Sequence, residues 1–362
     1  MNTGILYGKA LRRENLDAEE ALFLYTGAPL AELMALADRL RRETVSGNVV
    51  TWQIDRNVNI TNACISGCKF CNFHCRPRDR ERVFITSPEE YARKIEETLA
   101  LNGDQLLLQG GLHPDLDIDW YETLFRELKR RYPAIRLHAL GPPEIFHIAR
   151  ISRLDPETVL KRLMAAGLDS LPGAGAEILD NDVRKRISPG KCSADQWLDV
   201  MRTAHRLNLA TSATMMYGHV ETLRQRVEHL VKIRDLQAEC PPGNYGFIAF
   251  IPWIFRSSGT RLEAEGVKGA FSPQEYLRTI ALSRIVLHNI RHIQASWLTV
   301  GKETAQMALH GGADDMGSIM IEENVVSAAG ARNRFDAAGI RQAIREAGFT
   351  PRLRDQLYRF RD

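Results

Sequence analysis

From residue 50 onward, short apolar runs alternate with longer stretches in which apolar side chains return every three or four positions. The first pattern suits buried strands and the second amphipathic helices. The runs predict strands at 50–60, 105–109, 135–139, 170–172, 210–217, 245–251, 292–297 and 317–321. The longer stretches predict helices at 87–101, 120–132, 155–166, 193–207, 222–236, 272–289 and 302–309. Several open on a cap, as in Ser87-Pro88-Glu89-Glu90 and Ser272-Pro273-Gln274-Glu275. Strands that alternate with helices pair in parallel. About eight such units predict an α/β fold of the (β/α)8 barrel type over residues 50–330. A doubly wound open sheet is the competing architecture, but no glycine-rich dinucleotide fingerprint follows the first strand.

Two flanking segments complete the expected organisation. Residues 1–49 carry helical patterns, with Leu30, Leu33, Leu36, Ala37 and Leu40 on one stripe, and predict an N-terminal helical cap. Residues 331–362 predict a C-terminal helical extension with a helix at 337–347. Its Arg352, Arg354, Arg359 and Arg361 are interspersed with Asp355 and Asp362 and read as a solvated surface with some ion pairs.

Composition narrows the function classes. The 362 residues hold 48 Lys and Arg against 45 Asp and Glu, a net charge of +3. That is too small to argue for nucleic acid as a partner. No apolar run approaches the roughly 20 residues of a membrane helix. The opening MNTGILYGKALRR lacks the apolar core of a secretion signal. The expected location is the cytoplasm, where thiols stay reduced and disulfides are not expected.

That context gives weight to Cys64-Ile-Ser-Gly-Cys68-Lys-Phe-Cys71, a C-x3-C-x2-C loop just after the first strand. Thiolates are soft ligands suited to iron–sulfur clusters. Three of them on one loop can hold three irons of a [4Fe–4S] cluster and leave the fourth open to a small molecule. A zinc site completed by His74 and Cys75 is the alternative, although no second C-x2-C knuckle follows. Cys75, Cys192 and Cys240 read as ordinary thiols.

In a barrel the active groups gather where strands end. The second strand ends in Gly110-Gly111, which lets backbone come close to a ligand, or simply makes a tight turn. The fourth leads to Glu177, a candidate partner for a ribose hydroxyl or an ammonium group, or else a first-turn glutamate. Arg184 follows as a candidate for a carboxylate. The fifth ends near His219 and Glu221, a candidate acid–base pair. Met215 and Met216 read as packing.

The cysteine loop, with the aromatic Phe70 before its third cysteine, resembles the radical S-adenosylmethionine (SAM) superfamily. The strings QGGLHP at 109–114, LDSLPGAGAEIL at 168–179, ATMMYGHVET at 213–222 and GSIMIEENVVSAAG at 317–330 resemble, within it, the cyclase family of the futalosine route to menaquinone. Ala174 departs from that pattern, where a third glycine is expected. The resemblance implies that Cys64, Cys68 and Cys71 hold a [4Fe–4S] cluster and that SAM binds the open iron. It implies that Phe70, Gly110 and Gly111 contact SAM, with Glu177 and Arg184 as further contacts, and that Glu177, His219 and Glu221 act in catalysis. It also implies dehypoxanthine futalosine as the small-molecule substrate and an electron donor such as flavodoxin or ferredoxin. The sister families, aminofutalosine synthases and deazaflavin (FO) synthases, are the alternatives.

Overall fold

In the computed structural model, which describes residues 1–45, 47–269 and 271–361, ten strands run in chain order. They are β1 Val49–Gln53, β2 Asp55–Asn59, β3 Gln105–Gln109, β4 Arg136–Ala139, β5 Ser170–Leu171, β6 Ala210–Tyr217, β7 Phe247–Ile254, β8 His292–Ile293, β9 Asp315–Ser318 and β10 Thr350–Leu353. Strands β2 to β8 pair in order, all parallel. The sheet then closes. Ala295 N–H donates to Asp315 O (2.8 Å), Asp314 N–H to Ile293 O (3.0 Å), and β9 pairs with β1. With β1 and β2 as two halves of one stave, the architecture is the expected eight-staved barrel with an outer layer of helices.

The first stave breaks at Ile54 because its two halves have different neighbours. β2 lies beside β3 from Asp55 onward. β1 instead takes β10, with Val49 opposite Thr350 and Trp52 opposite Leu353. The segment after residue 331 is therefore only partly the helical extension that its pattern predicts. It contains the helix Ala337–Glu346, then β10, then a turn that brings Arg354, Gln356 and Tyr358 into the barrel cavity. The reading of its arginines as solvated is corrected at Arg354. That side chain is 3% exposed and pairs with Asp315 at 2.6 Å. Asp362, part of that reading, lies outside the described residues.

The outer helices follow the predicted ones closely, with caps where the sequence places them: Ser87 Oγ accepts from Glu90 N–H and Ser272 Oγ from Glu275 N–H. A helix at Pro142–Ser152 was not predicted. The expected strand at 292–297 stops after two residues and turns into the short helix Trp297–Val300. The N-terminal helices Ala18–Gly27 and Leu30–Thr44 lie against the barrel's flank. Tyr25 OH donates to Glu275 and Arg226 donates to Tyr25 OH, both at 2.6 Å. No helix among the described residues is long and apolar enough to cross a membrane.

Candidate active site

The cysteine loop leaves the C-terminal end of β2 and is tied down by its backbone. Cys64 N–H donates to Cys75 O (2.9 Å), Ile65 N–H to Leu112 O (3.1 Å) and Lys69 N–H to Ile187 O (2.8 Å). Gly67 takes φ +63°, so the chain turns between the first two cysteines in a conformation most side chains avoid. Cys64, Cys68 and Cys71 all line one cavity of about 380 Å³ inside the barrel. Ser66 Oγ lies 2.9 Å from Cys64 Sγ and 3.2 Å from Cys68 Sγ, and Leu112 N–H donates to Cys64 Sγ at 3.2 Å.

This donor set fits a cluster better than a single ion. Cys75 Sγ accepts from Asn62 Nδ2 (3.3 Å) and Cys75 is absent from the cavity wall; the His74 ring contacts Cys71 O at 2.7 Å. Among the described residues no three His, Cys, Asp or Glu side chains converge on one ion position. Three thiols that each bind a different iron have no need to. Burial pushes the Cys68 thiol up to about 11 and raises Cys71 as well, while Lys191 pulls both the other way. Such thiols become thiolates when metal displaces their protons.

The glycine pair after β3 sits where the loop needs it. A Cβ on Gly111 would lie 2.1 Å from Ala63 O and 2.8 Å from Cys64 Cβ, and one on Gly110 3.1 Å from Thr61 N. The pair admits the cysteine loop itself, and both glycines also face the cavity. Beyond β5, Glu177 takes φ +45° and turns its buried carboxylate to Lys191 Nζ, 2.7 Å away. Lys191 Nζ in turn lies 5.3 Å from the centre of the Phe70 ring. Burial alone would lower the Lys191 ammonium, but Cys68 and Glu177 outweigh it and the net shift is upward. Glu144 lies on the same wall, its carboxyl raised by burial. Ala174, the departure from the glycine pattern, lines the cavity, and its carbonyl accepts from Trp197 Nε1 at 3.1 Å.

Three predicted residues are not on this wall. Arg184 spends its guanidinium on the carbonyls of Gly175, Ala176 and Cys192, at 2.7–3.0 Å. It braces the turn behind Glu177, and Lys191 is the cation that faces the cavity. His219 and Glu221 close on each other and on the turn after β6. Glu221 accepts from the Gly218 and His219 N–H groups and from Arg226, and the His219 ring accepts from Val220 N–H and contacts Met216 O. Burial lowers His219, which leaves it neutral with both ring nitrogens engaged. Neither is among the residues that line the cavity. Met215 and Met216 are fully buried packing, as expected.

One set of cavity residues escaped the sequence reading. Gln53, Asp55, Asn57 and Asn59 alternate along the first stave, and all four line the cavity. Their period of two was visible in WQIDRNVNI and marks one face of a strand as polar. Two indoles, Trp253 and Trp297, also line the cavity.

Comparison with known proteins agrees with this geometry. Residues 58–233 match the radical SAM superfamily, and residues 244–362 match the CofH/MqnC C-terminal region. The chain is 44% identical to cyclic dehypoxanthine futalosine synthase of Streptomyces coelicolor, over 95% of this chain and 85% of that one. It is 40% identical to 5-amino-6-(D-ribitylamino)uracil–L-tyrosine 4-hydroxyphenyl transferase of Archaeoglobus fulgidus, over 91% and 94% of the two chains. Among solved structures, the hydrogenase maturase HydG superposes with a TM-score of 0.74 at 15% identity, over 96% of this chain and 75% of that one. Methylornithine synthase superposes at 0.70 with 19% identity, over 96% and 97%. These two share the fold.

Proposed function

Since the chain belongs to the radical SAM superfamily, in the group that carries the CofH/MqnC C-terminal region, we propose that it is a radical SAM cyclase acting on dehypoxanthine futalosine in menaquinone biosynthesis. The ribose C4′ hydrogen is removed, the carbon radical adds to the benzoate ring, and the ring radical then loses one electron and one proton, which restores aromaticity and gives the cyclic product. The observation that carries this reading is the near-full-length similarity to cyclic dehypoxanthine futalosine synthases, in a chain whose three loop cysteines open onto one cavity.

The chemistry that a bound [4Fe–4S] cluster and SAM supply is hydrogen abstraction by a 5′-deoxyadenosyl radical. The residues of the chain position and enclose. Cys64, Cys68 and Cys71 would hold the cluster, and Phe70, Gly110 and Gly111 would border SAM. Glu177, held by Lys191, offers a carboxylate to a hydroxyl or ammonium group. Trp253 and Trp297 keep part of the wall apolar, which excludes water from a reactive carbon centre. A small redox protein such as flavodoxin or ferredoxin supplies the electron, in the cytoplasm.

A second reading, 4-hydroxyphenyl transfer between tyrosine and 5-amino-6-(D-ribitylamino)uracil, rests on the archaeal relatives. One anaerobic assay separates the two. The reconstituted protein receives SAM, reductant and either dehypoxanthine futalosine or the tyrosine pair, and products are read by mass spectrometry. The cyclase reading expects 5′-deoxyadenosine and a cyclised product from the first mixture alone, both abolished by Cys68→Ala. Turnover of only the second mixture would replace it with the transferase.

A further inference from the structure

The interior of a (β/α)8 barrel is normally filled by layers of branched apolar side chains. Here one stave is polar throughout its height. Gln53, Asp55, Asn57 and Asn59 face the cavity over about 20 Å of strand, and Gln105 on β3 lines the cavity beside Asp55. Gln53, Asn57 and Gln105 are 2%, 3% and 1% exposed. Each has one amide atom without a partner in the protein: Gln53 Nε2, Asn57 Oδ1 and Gln105 Oε1. Leaving a buried polar atom unpaired is unfavourable, so three in one region point to a guest that satisfies them.

The charges there narrow its chemistry. Arg354 has its charge paired: it donates twice to Asp315 (2.6 and 3.0 Å), once to Gln53 Oε1 (2.6 Å) and once to Asp355 O (3.1 Å). His138 is neutral, held down to about 3 by burial and by Arg354. Gln105 Nε2 is turned to Asp55 Oδ2 at 3.3 Å. With Arg354 paired and His138 neutral, the described residues of the region present no unpaired cation to a carboxylate. Side-chain amides that present a donor on one residue and acceptors on the next match vicinal hydroxyls, each of which donates and accepts.

We propose that the lower half of the cavity is a subsite for the hydroxyl groups of a sugar ring, read by Gln53, Asn57 and Gln105. In the cyclase reading, on which this rests, the sugar is the ribose of the substrate. The amides fix its ring so that one C–H faces the upper cavity, where the cysteines lie. They are positioning residues, and their loss misplaces the ring without touching the cluster.

The test is equilibrium dialysis of the anaerobically reconstituted protein against dehypoxanthine futalosine and against counterparts lacking the C2 or C3 hydroxyl, with turnover measured alongside. The parent protein should prefer the full sugar by at least about tenfold, the effect of one buried hydrogen bond. Asn57→Leu and Gln105→Met, close in shape and unable to make that bond, should erase the preference and leave SAM binding intact. A preference that persists in both variants, or that the parent lacks, would leave the region a water site and overturn the proposal. Loss of SAM binding in both variants would overturn it too, by placing these residues in the SAM site. Selective binding without cyclisation would instead retire the cyclase reading and leave the sugar subsite standing.

Discussion

Gly111 has no room for a methyl group. The Cβ of an alanine there would meet the Ala63 carbonyl at 2.1 Å, and that carbonyl belongs to the backbone of the cysteine loop. Gly111→Ala must therefore push the loop out of place, at a cost of about 1–3 kcal/mol. Iron and labile sulfide per chain after reconstitution should fall several-fold, with the barrel still folded by circular dichroism; full cluster content would contradict this account. The same scale shows what the sequence could and could not tell. The cysteines were legible because their spacing is itself the chemistry. Arg184 and Lys191 were not separable, since both are cations shortly after Glu177. Only the turn between them decides which reaches the cavity, and it sends Arg184 to three carbonyls and Lys191 to Glu177. His219 and Glu221 misled for a related reason: a polar pair at a strand end can brace the turn it sits on as readily as face a substrate.

Among the elements, β10 and the turn after it hold the barrel floor through one buried ion pair. Arg354 and Asp315 are 3% and 0% exposed, and Thr51 Oγ1 and Gly317 N–H also donate to the Asp315 carboxylate. Removing one partner of such a pair leaves an uncompensated charge, a loss of about 3–5 kcal/mol. Arg354→Met should lower stability by that amount in denaturant unfolding, and the double variant Arg354→Met/Asp315→Leu should recover most of it. An equal loss in single and double variants would mean that the charge pair is not what matters. Helices and most staves were readable from their periodicity, because each is decided by its own burial. The break in the first stave was not. It arises from β10, which pairs with residues 49–52 from some 300 positions away, and no local pattern encodes that neighbour. The arginine-bearing tail read as surface for the same reason.

On the scale of the molecule, three buried histidines make the fold sensitive to acid. Burial, with a neighbouring cation in each case, holds His138, His205 and His229 down to about 3, 4 and 3, against the ordinary 6.5. The unfolded chain binds more protons than the folded one between those values, so stability present above about pH 6.5 is lost as pH falls below it. Each histidine contributes about 1.4 kcal/mol per pH unit in that window. Calorimetry should show the melting temperature falling from about pH 7 to about pH 5, and His229→Gln should flatten the slope by one proton. A melting temperature constant across that range would refute the assignment. The pairing of β1 has a consequence for how the chain is made. Thr51 finds its partner at Asp315 on one edge, and Val49 finds Thr350 on the other. During synthesis β1 therefore leaves the ribosome with both hydrogen-bonding edges bare and keeps them bare until residues 315 and 350 follow. Closure of the ring is an event of late translation, and contacts this distant in sequence set a slow pace for it.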